Sequence, residues 1–224
     1  MAGVMLIVGL SGPVNAPLSA ADNGFDKVIL SQEYTFGLGG MTIIEFRPYL
    51  LFKDGSILRS PSDAPADLDV SRSRAARPKD WGRFAITSDR IQVQWGDGKS
   101  QTIDKWWTAR PATSGGRLSG PYRYSGGSGN TALGGSAMVV RSSQYRFNTD
   151  GTFSNDTFGG GSNSSLGVQT AAGSGRQGGG SYHLDGYTIE LKTTDGRVQR
   201  LLFFFFPDSE DAIGVGNQVL SKQK

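Results

Sequence analysis

The chain contains one histidine, His183, between Tyr182 and Leu184, and no cysteine. A single imidazole cannot supply the histidine pair of the familiar zinc sites. Without cysteine there are no thiolate ligands, thiol nucleophiles or disulfides. His183 acting as base to a serine would need a Gly-x-Ser-x-Gly turn between a strand and a helix. Gly159-Gly160-Gly161-Ser162 lies instead in a glycine- and serine-rich run. In an extended segment Tyr182 and Leu184 take one side and His183 the other, which predicts a surface histidine.

The carboxylates read as turn residues. Asp54, Asp97, Asp150, Asp185 and Asp195 each precede a glycine, and Asp-Gly between alternating runs is a hairpin signal. Asp208-Ser209-Glu210-Asp211 lacks the calcium-loop spacing of an EF-hand. Glu45 and Arg47 fall in the apolar run Ile43 to Tyr49, either as an outward ion pair or as an inward pair that orients a ligand. Gly37-Leu38-Gly39-Gly40 and Gly126-Gly127-Ser128-Gly129 are followed by neither Lys-Ser/Thr nor a helix, so no phosphate loop is expected. Nothing here calls for a cofactor, and no catalytic residue is assigned.

Aromatic side chains remain. Trp81, Trp95, Trp106, Trp107, Tyr122, Tyr124, Tyr145 and Tyr182 either pack a core or line a cavity for an apolar or planar ligand. The candidate ligand-binding set is Trp95, Trp106, Trp107, Tyr145 and Tyr182. Trp106 and Trp107 are adjacent, so on a strand they point to opposite faces and one leaves the core. Arg72, Arg74, Arg77, Lys79 and Arg83 are interspersed with Asp67, Asp69 and Asp80, and the net charge is only +3. That pattern is a solvated loop, not a nucleic-acid face.

The elements that must hold these residues come from a duplication. Leu38-Gly39-Gly40 returns as Leu133-Gly134-Gly135. Phe52 with Asp54-Gly55 returns as Phe147 with Asp150-Gly151, and Gly82-Arg83-Phe84 as Gly180-Ser181-Tyr182. Ile91-Gln92-Val93 with Asp97-Gly98 returns as Ile189-Glu190-Leu191 with Asp195-Gly196, and Trp106-Trp107 falls opposite Phe204-Phe205. The order never changes. Two β units are therefore expected, 25–111 and 118–220, joined by 112–117. Strand periodicity of two runs through Ile91, Val93 and Trp95. Leu201 to Phe206 has no polar alternation and reads as a strand buried on both faces. Each unit has a long connection, Ser60 to Asp80 and Ser154 to Gly180. Ala64 to Ala76 is expected to hold a short helix capped by Asp63, and the glycine- and serine-rich second connection is expected to be mobile. The fold class is all-β, an antiparallel up-and-down barrel or wrapped sheets built from two tandem copies of one unit. One joined body is expected, with two small barrels as the alternative.

Residues 1–20 carry a short apolar core, Val4 to Leu10, followed by small-residue endings. This order matches an export signal, though a basic start is missing, and a disordered or strand-forming N-terminus is the alternative. An export signal implies a periplasmic or extracellular protein, and its absence a cytoplasmic one. No segment has the length and apolarity of a membrane-spanning helix.

The pattern of Tyr145, Phe147, Asp150, Gly151 and Thr152, then Gly180, Tyr182, Ile189, Leu191, Asp195 and Gly196, resembles bacterial exported lipocalin-like, calycin-type barrels of unassigned function. Phe52, Asp54, Gly55, Gly82, Phe84, Ile91 and Val93 repeat it more weakly. The resemblance covers about half of each unit and concerns fold-forming residues. It implies a barrel that holds a small apolar or amphipathic ligand. Two other classes stay open: a cell-surface interaction protein using glycine-rich loops and exposed aromatics against a partner, and a barrel cyclase or isomerase.

Overall fold

The computed structural model describes residues 23–36, 42–129, 137–165 and 168–224. The expected export signal and the Leu38-Gly39-Gly40 and Leu133-Gly134-Gly135 landmarks lie outside the described residues. Among the described residues fifteen strands follow one another: β1 (Phe25–Phe36), β2 (Thr42–Phe52), β3 (Ser56–Arg59), β4 (Trp81–Thr87), β5 (Arg90–Trp95), β6 (Ser100–Ile103), β7 (Trp106–Thr108), β8 (Gly120–Gly129), β9 (Ala137–Phe147), β10 (Thr152–Ser165), β11 (Val168–Asp185), β12 (Thr188–Thr193), β13 (Val198–Phe206), β14 (Ser209–Val215) and β15 (Gln218–Lys222). They form a seven-stranded antiparallel sheet, β6-β5-β4-β3-β2-β1-β7, and a closed eight-stranded barrel, β8 to β15 in chain order.

The two sheets repeat one plan. The order β1 to β6 in the first is the order β8 to β13 in the second. Asp54-Gly55 and Asp150-Gly151 make the same turn between the second and third strands. Each aspartate accepts from the amide and hydroxyl two residues on, at Ser56 and at Thr152. Gly55 and Gly151 both have positive φ, 79° and 88°, a conformation glycine adopts without cost. Each turn carbonyl is then bonded by the fourth strand, from Phe84 N to Gly55 O and from Tyr182 N to Gly151 O. Asp97 and Asp195 repeat a second turn, accepting from the amides of Lys99 and Arg197. One landmark shifts. Gly55 N donates to Phe52 O and Gly151 N to Asn148 O, so Leu51, not Phe52, occupies the place of Phe147.

Curvature follows from where the edges meet. Strands β6 and β7 stand at opposite ends of the first sheet, yet only Asp104 and Lys105 separate them. The sheet therefore curls almost into a ring. Its inner face packs Ile29, Tyr49, Leu51, Ile57, Ile91, Val93, Trp95 and Ile103. In the second unit the hairpin β14–β15 is inserted between β13 and β8, and the ring closes at eight strands. Each unit thus wraps on itself, so the single joined body expected from the sequence is not formed, and the structure follows the alternative of two separately wrapped units.

A third cluster joins the units. Val28, Leu30, Leu50, Phe52, Leu58 and Trp81 on the outer face of the first sheet meet Leu202 and Phe204 on the outside of the barrel. This explains the unbroken apolar run from Leu201 to Phe206: Phe203 and Phe205 fill the barrel, while Leu202 and Phe204 fill the joint. The main chain contributes as well, with Arg110 and Phe205 exchanging two hydrogen bonds.

Two local expectations are corrected. The Ser60–Asp80 connection holds a 3-10 turn, Pro65–Asp67, and a helix α1, Val70–Ala76, whose N-cap is Asp69 and not Asp63. Asp69 accepts from Arg72 N, the usual capping bond. The Ser154–Gly180 stretch, expected to be a mobile connection, forms β10 and most of β11, paired from Thr152↔Ser181 to Ser165↔Val168. Glycine and serine have poor strand propensity. Strand β9 pairs with the other edge of β10, so ladder partners on two sides satisfy a backbone whose side chains bury little.

Candidate functional site

The five candidate aromatics do not converge. Tyr145 and Tyr182 sit inside the barrel. Tyr145 stacks on Phe147 at 5.7 Å between ring centres, and Tyr182 meets the same ring edge-on at 5.0 Å. Tyr182 is only 4% exposed, and its hydroxyl accepts from Leu118 N and donates to Asn148 O. It ties the chain entering the barrel to the turn before β10. Around these rings Tyr122, Phe153, Leu184, Ile189, Leu191, Phe203, Ile213 and Leu220 are all buried. Over this section the interior is occupied by side chains. Burial, with Glu210 and Asp211 nearby, raises the Tyr122 phenol to about 12.

Trp95 lies in the inner core of the first sheet, stacked on Tyr49 at 6.0 Å, with its indole N–H donated to Gln101 Oε1 at 2.9 Å. Trp106 packs against the same core and donates from Nε1 to Asp89 O at 2.8 Å, bracing β7 against the β4–β5 turn. Trp107 points the other way and is 39% exposed, so the two neighbours do face opposite sides of β7. His183 is exposed.

Trp107 belongs to a larger surface. It stands opposite Leu30, Gln32 opposite Phe46, and Tyr34 opposite Ile44. Directly opposed residues of an antiparallel pair share a face, so Tyr34, Ile44, Phe46 and Trp107 lie on one side of β7-β1-β2. Tyr34 is 62% and Ile44 56% exposed. Phe46 bridges Trp107, at 6.0 Å, to Phe206 of the barrel, at 5.2 Å, so the exposed face runs on from the joint between the units. Among the described residues the exposed large apolar side chains are Tyr34, Ile44, Ile86, Trp107 and Val198. Three of the five therefore fall on this one face.

The reverse side of the same strands is charged. Arg47 contacts Glu33 at 3.1 Å and Glu45 at 3.0 Å, and Tyr49 donates to Glu33 Oε1 at 2.6 Å. Burial, then the hydrogen bond and charge of Glu33, pushes the Tyr49 phenol well above its ordinary value. The Glu45–Arg47 pair is on the inner-face side of β2 but stands in solvent, because β1 and β2 run past the ends of β3 and β7.

Three of the five basic loop residues are engaged within the chain, Arg77 through Ser73 Oγ. Arg74 bonds Asp54 and Ser56 and covers the Trp81 ring, and Arg83 bonds Asp54 O. The hydrogen bond from Ser56, followed by Arg74, brings Asp54 down to about 2. A cleft of about 510 Å³ between α1 and β13 is bounded by Asp63, Asp67, Arg72, Arg77 and Arg200. Arg200 is already paired there with Asp67 and Glu190.

Sequence reading found Trp107 but missed Tyr34, Ile44 and Phe46. The signal was present in their alternation with Glu33, Glu45 and Arg47. It marks an amphipathic hairpin, but does not say that the apolar side lies open. Among the described residues no group of three or more acidic or histidine side chains is placed to hold a metal, and no helix is long and apolar enough to cross a membrane. No family model, curated protein or solved structure matches the chain.

Proposed function

We propose that this chain is an exported interaction protein that holds a partner against the face formed by Tyr34, Ile44, Phe46 and Trp107. The observation that carries the reading is the gathering of exposed large apolar side chains on that face, next to the joint between the units. Large exposed apolar patches mark interaction sites more often than chance exposure does. The closed eight-stranded up-and-down barrel is compatible with a lipocalin-like relationship. The packed aromatic section inside it favours a barrel used as a rigid support over one used as a ligand container.

The test uses protein purified from its own host. A photo-crosslinking side chain at position 44 should join the chain to a partner, and Tyr34→Ser with Trp107→Ser should abolish the product while lowering the urea midpoint only slightly. Crosslinking unaffected by the double substitution would defeat the reading. A small molecule that co-purifies in native mass spectrometry, with no crosslinked partner, would favour the interior-ligand reading instead.

A further inference from the structure

The edge of β2 has a missing neighbour, and the second unit shows what kind of element belongs there. In β1, Gln32 N donates to Lys105 O and Val28 O accepts from Ala109 N, so its even-numbered residues aim their main-chain groups towards β7. Antiparallel pairs alternate between bonded and non-bonded. The partners of these residues in β2, Ile44, Phe46 and Pro48, therefore aim theirs away from β1. Strand β3 covers that side of β2 only from Tyr49 to Leu51. From Thr42 to Pro48 no strand covers it among the described residues. Pro48, which has no amide hydrogen, lies at the buried end of this uncovered stretch, where no donor is left unpaired.

In the second unit the equivalent edge is filled. Strand β10 pairs with β9 from Phe153↔Phe147 to Asn163↔Ala137. The first unit has no such cover because β3 ends at Arg59 and Ser60, at φ 51°, turns the chain into the α1 connection.

We propose that the β2 edge from Thr42 to Phe46 accepts an extended strand from another protein, apolar on the side of Ile44 and Phe46 and basic on the side of Glu45. Strand addition to an open sheet edge draws affinity from main-chain bonds and selectivity from alternate side chains. The charged side presents Glu33 and Glu45 against a single Arg47, an excess of one negative charge. Two of the self-pairing registers open to a second copy of this chain are disfavoured. Antiparallel self-pairing centred on Glu45 would oppose two like carboxylates, and pairing centred on Phe46 would set Ile44 against Pro48, which has no donor. A charge and a proline on an open strand are the usual guards against self-association. The inference rests on the interaction-face reading above and specifies its partner.

The test uses the full chain and two fluorescent, end-blocked heptapeptides, one alternating valine with lysine and the other valine with glutamate. The lysine peptide should bind at least tenfold more tightly, and Glu45→Lys should reverse the preference. Ile44→Pro removes an outward N–H and leaves the bonds to β1, so it should weaken the lysine peptide at least tenfold. Binding of neither peptide at millimolar concentration, or binding indifferent to both substitutions, would overturn the proposal. Concentration-dependent dimers that Ile44→Pro abolishes would also overturn it, in favour of self-pairing. If crosslinking to a host partner from position 32, on the same face, depends on Trp107 and Tyr34 but survives Ile44→Pro, strand addition falls while the interaction face stands.

Discussion

The two units share strand order and turns but treat their outer faces differently. In the first, Val28, Leu30, Leu50 and Leu58 turn apolar side chains outward from β1, β2 and β3. In the second, the corresponding positions on β8, β9 and β10 include Arg123, Arg146 and Ser154, all exposed. Its outward apolar residues are instead Leu202 and Phe204 on β13. Duplication supplied one plan, and the surface residues decided which strands of each copy meet. A second difference lies in the third strand. Strand β10 runs fourteen residues and guards its neighbour, whereas β3 runs four and leaves β2 open.

The largest predicted effect tests whether the joint makes the units one cooperative body. Phe204 is fully buried between them and Phe203 is fully buried inside the barrel. Either Phe→Ala change should cost about 3–5 kcal/mol, the usual range for a buried phenylalanine. If the joint couples the units, each variant should show one urea transition, coincident by tryptophan fluorescence and far-ultraviolet dichroism. All four tryptophans lie in the first unit. A Phe203→Ala protein whose dichroism melts before its fluorescence would break the coupling.

Next is the glycine paired with the residue just before each second turn, Gly82 with Trp95 and Gly180 with Thr193. A methyl at Gly180 would lie 1.9 Å from Lys192 O, and one at Gly82 2.8 Å from Gln94 O. The opposing atoms are backbone, so the strand must move. Gly→Ala should destabilise by about 1–3 kcal/mol at each position, more at Gly180. Equal costs in thermal melts would mean that the two sites relax alike and that the closer approach is not felt.

Tyr49 and Tyr145 hold equivalent places and offer a smaller contrast. Burial raises both phenols, and only Tyr49 is seen to donate to a carboxylate. A hydrogen bond to a charged group is worth about 1.5–3 kcal/mol, so Tyr49→Phe should cost more than Tyr145→Phe. The folded phenol is held neutral above the unfolded value of about 10. Its stabilisation is therefore complete below pH 10 and declines as pH rises above it. Tyr49→Phe should flatten that alkaline decline. An unchanged pH profile would show that Tyr49 ionises alike in the folded and unfolded chain.

Much of this fold was legible in the sequence because its landmarks are backbone devices. Asp-Gly turns and the glycines at 82 and 180 answer to local sterics, which a single copy exposes and a duplicate confirms. The joint was legible only as a question: Leu201 to Phe206 asked for burial on both faces without naming the element on the second. The pairing of β10 with β11 was hidden, because glycine and serine carry almost no strand signal and the ladder is a property of neighbours. The exposed face was hidden for the opposite reason. Ile44 and Phe46 look like any alternating strand until β3 is seen to stop at Arg59.

The smallest effect concerns that face. Ile44 is more than half exposed, and threonine keeps its branched Cβ and its fitness for a strand. Ile44→Thr should therefore change stability by no more than about 0.5 kcal/mol, as for surface substitutions away from special features. Trp107 touches Phe46, so Trp107→Ser should cost slightly more, yet well below a buried tryptophan. Trp106, which packs on the inner core and bonds Asp89 O, should cost clearly more than its neighbour when replaced by Ala. Urea melts of the three variants give the ranking. If Ile44→Thr or Trp107→Ser proved as costly as Trp106→Ala, the face would be holding the first unit together. Its exposure would then need no partner, and the contrast with the guarded edge of the barrel would lose its functional meaning.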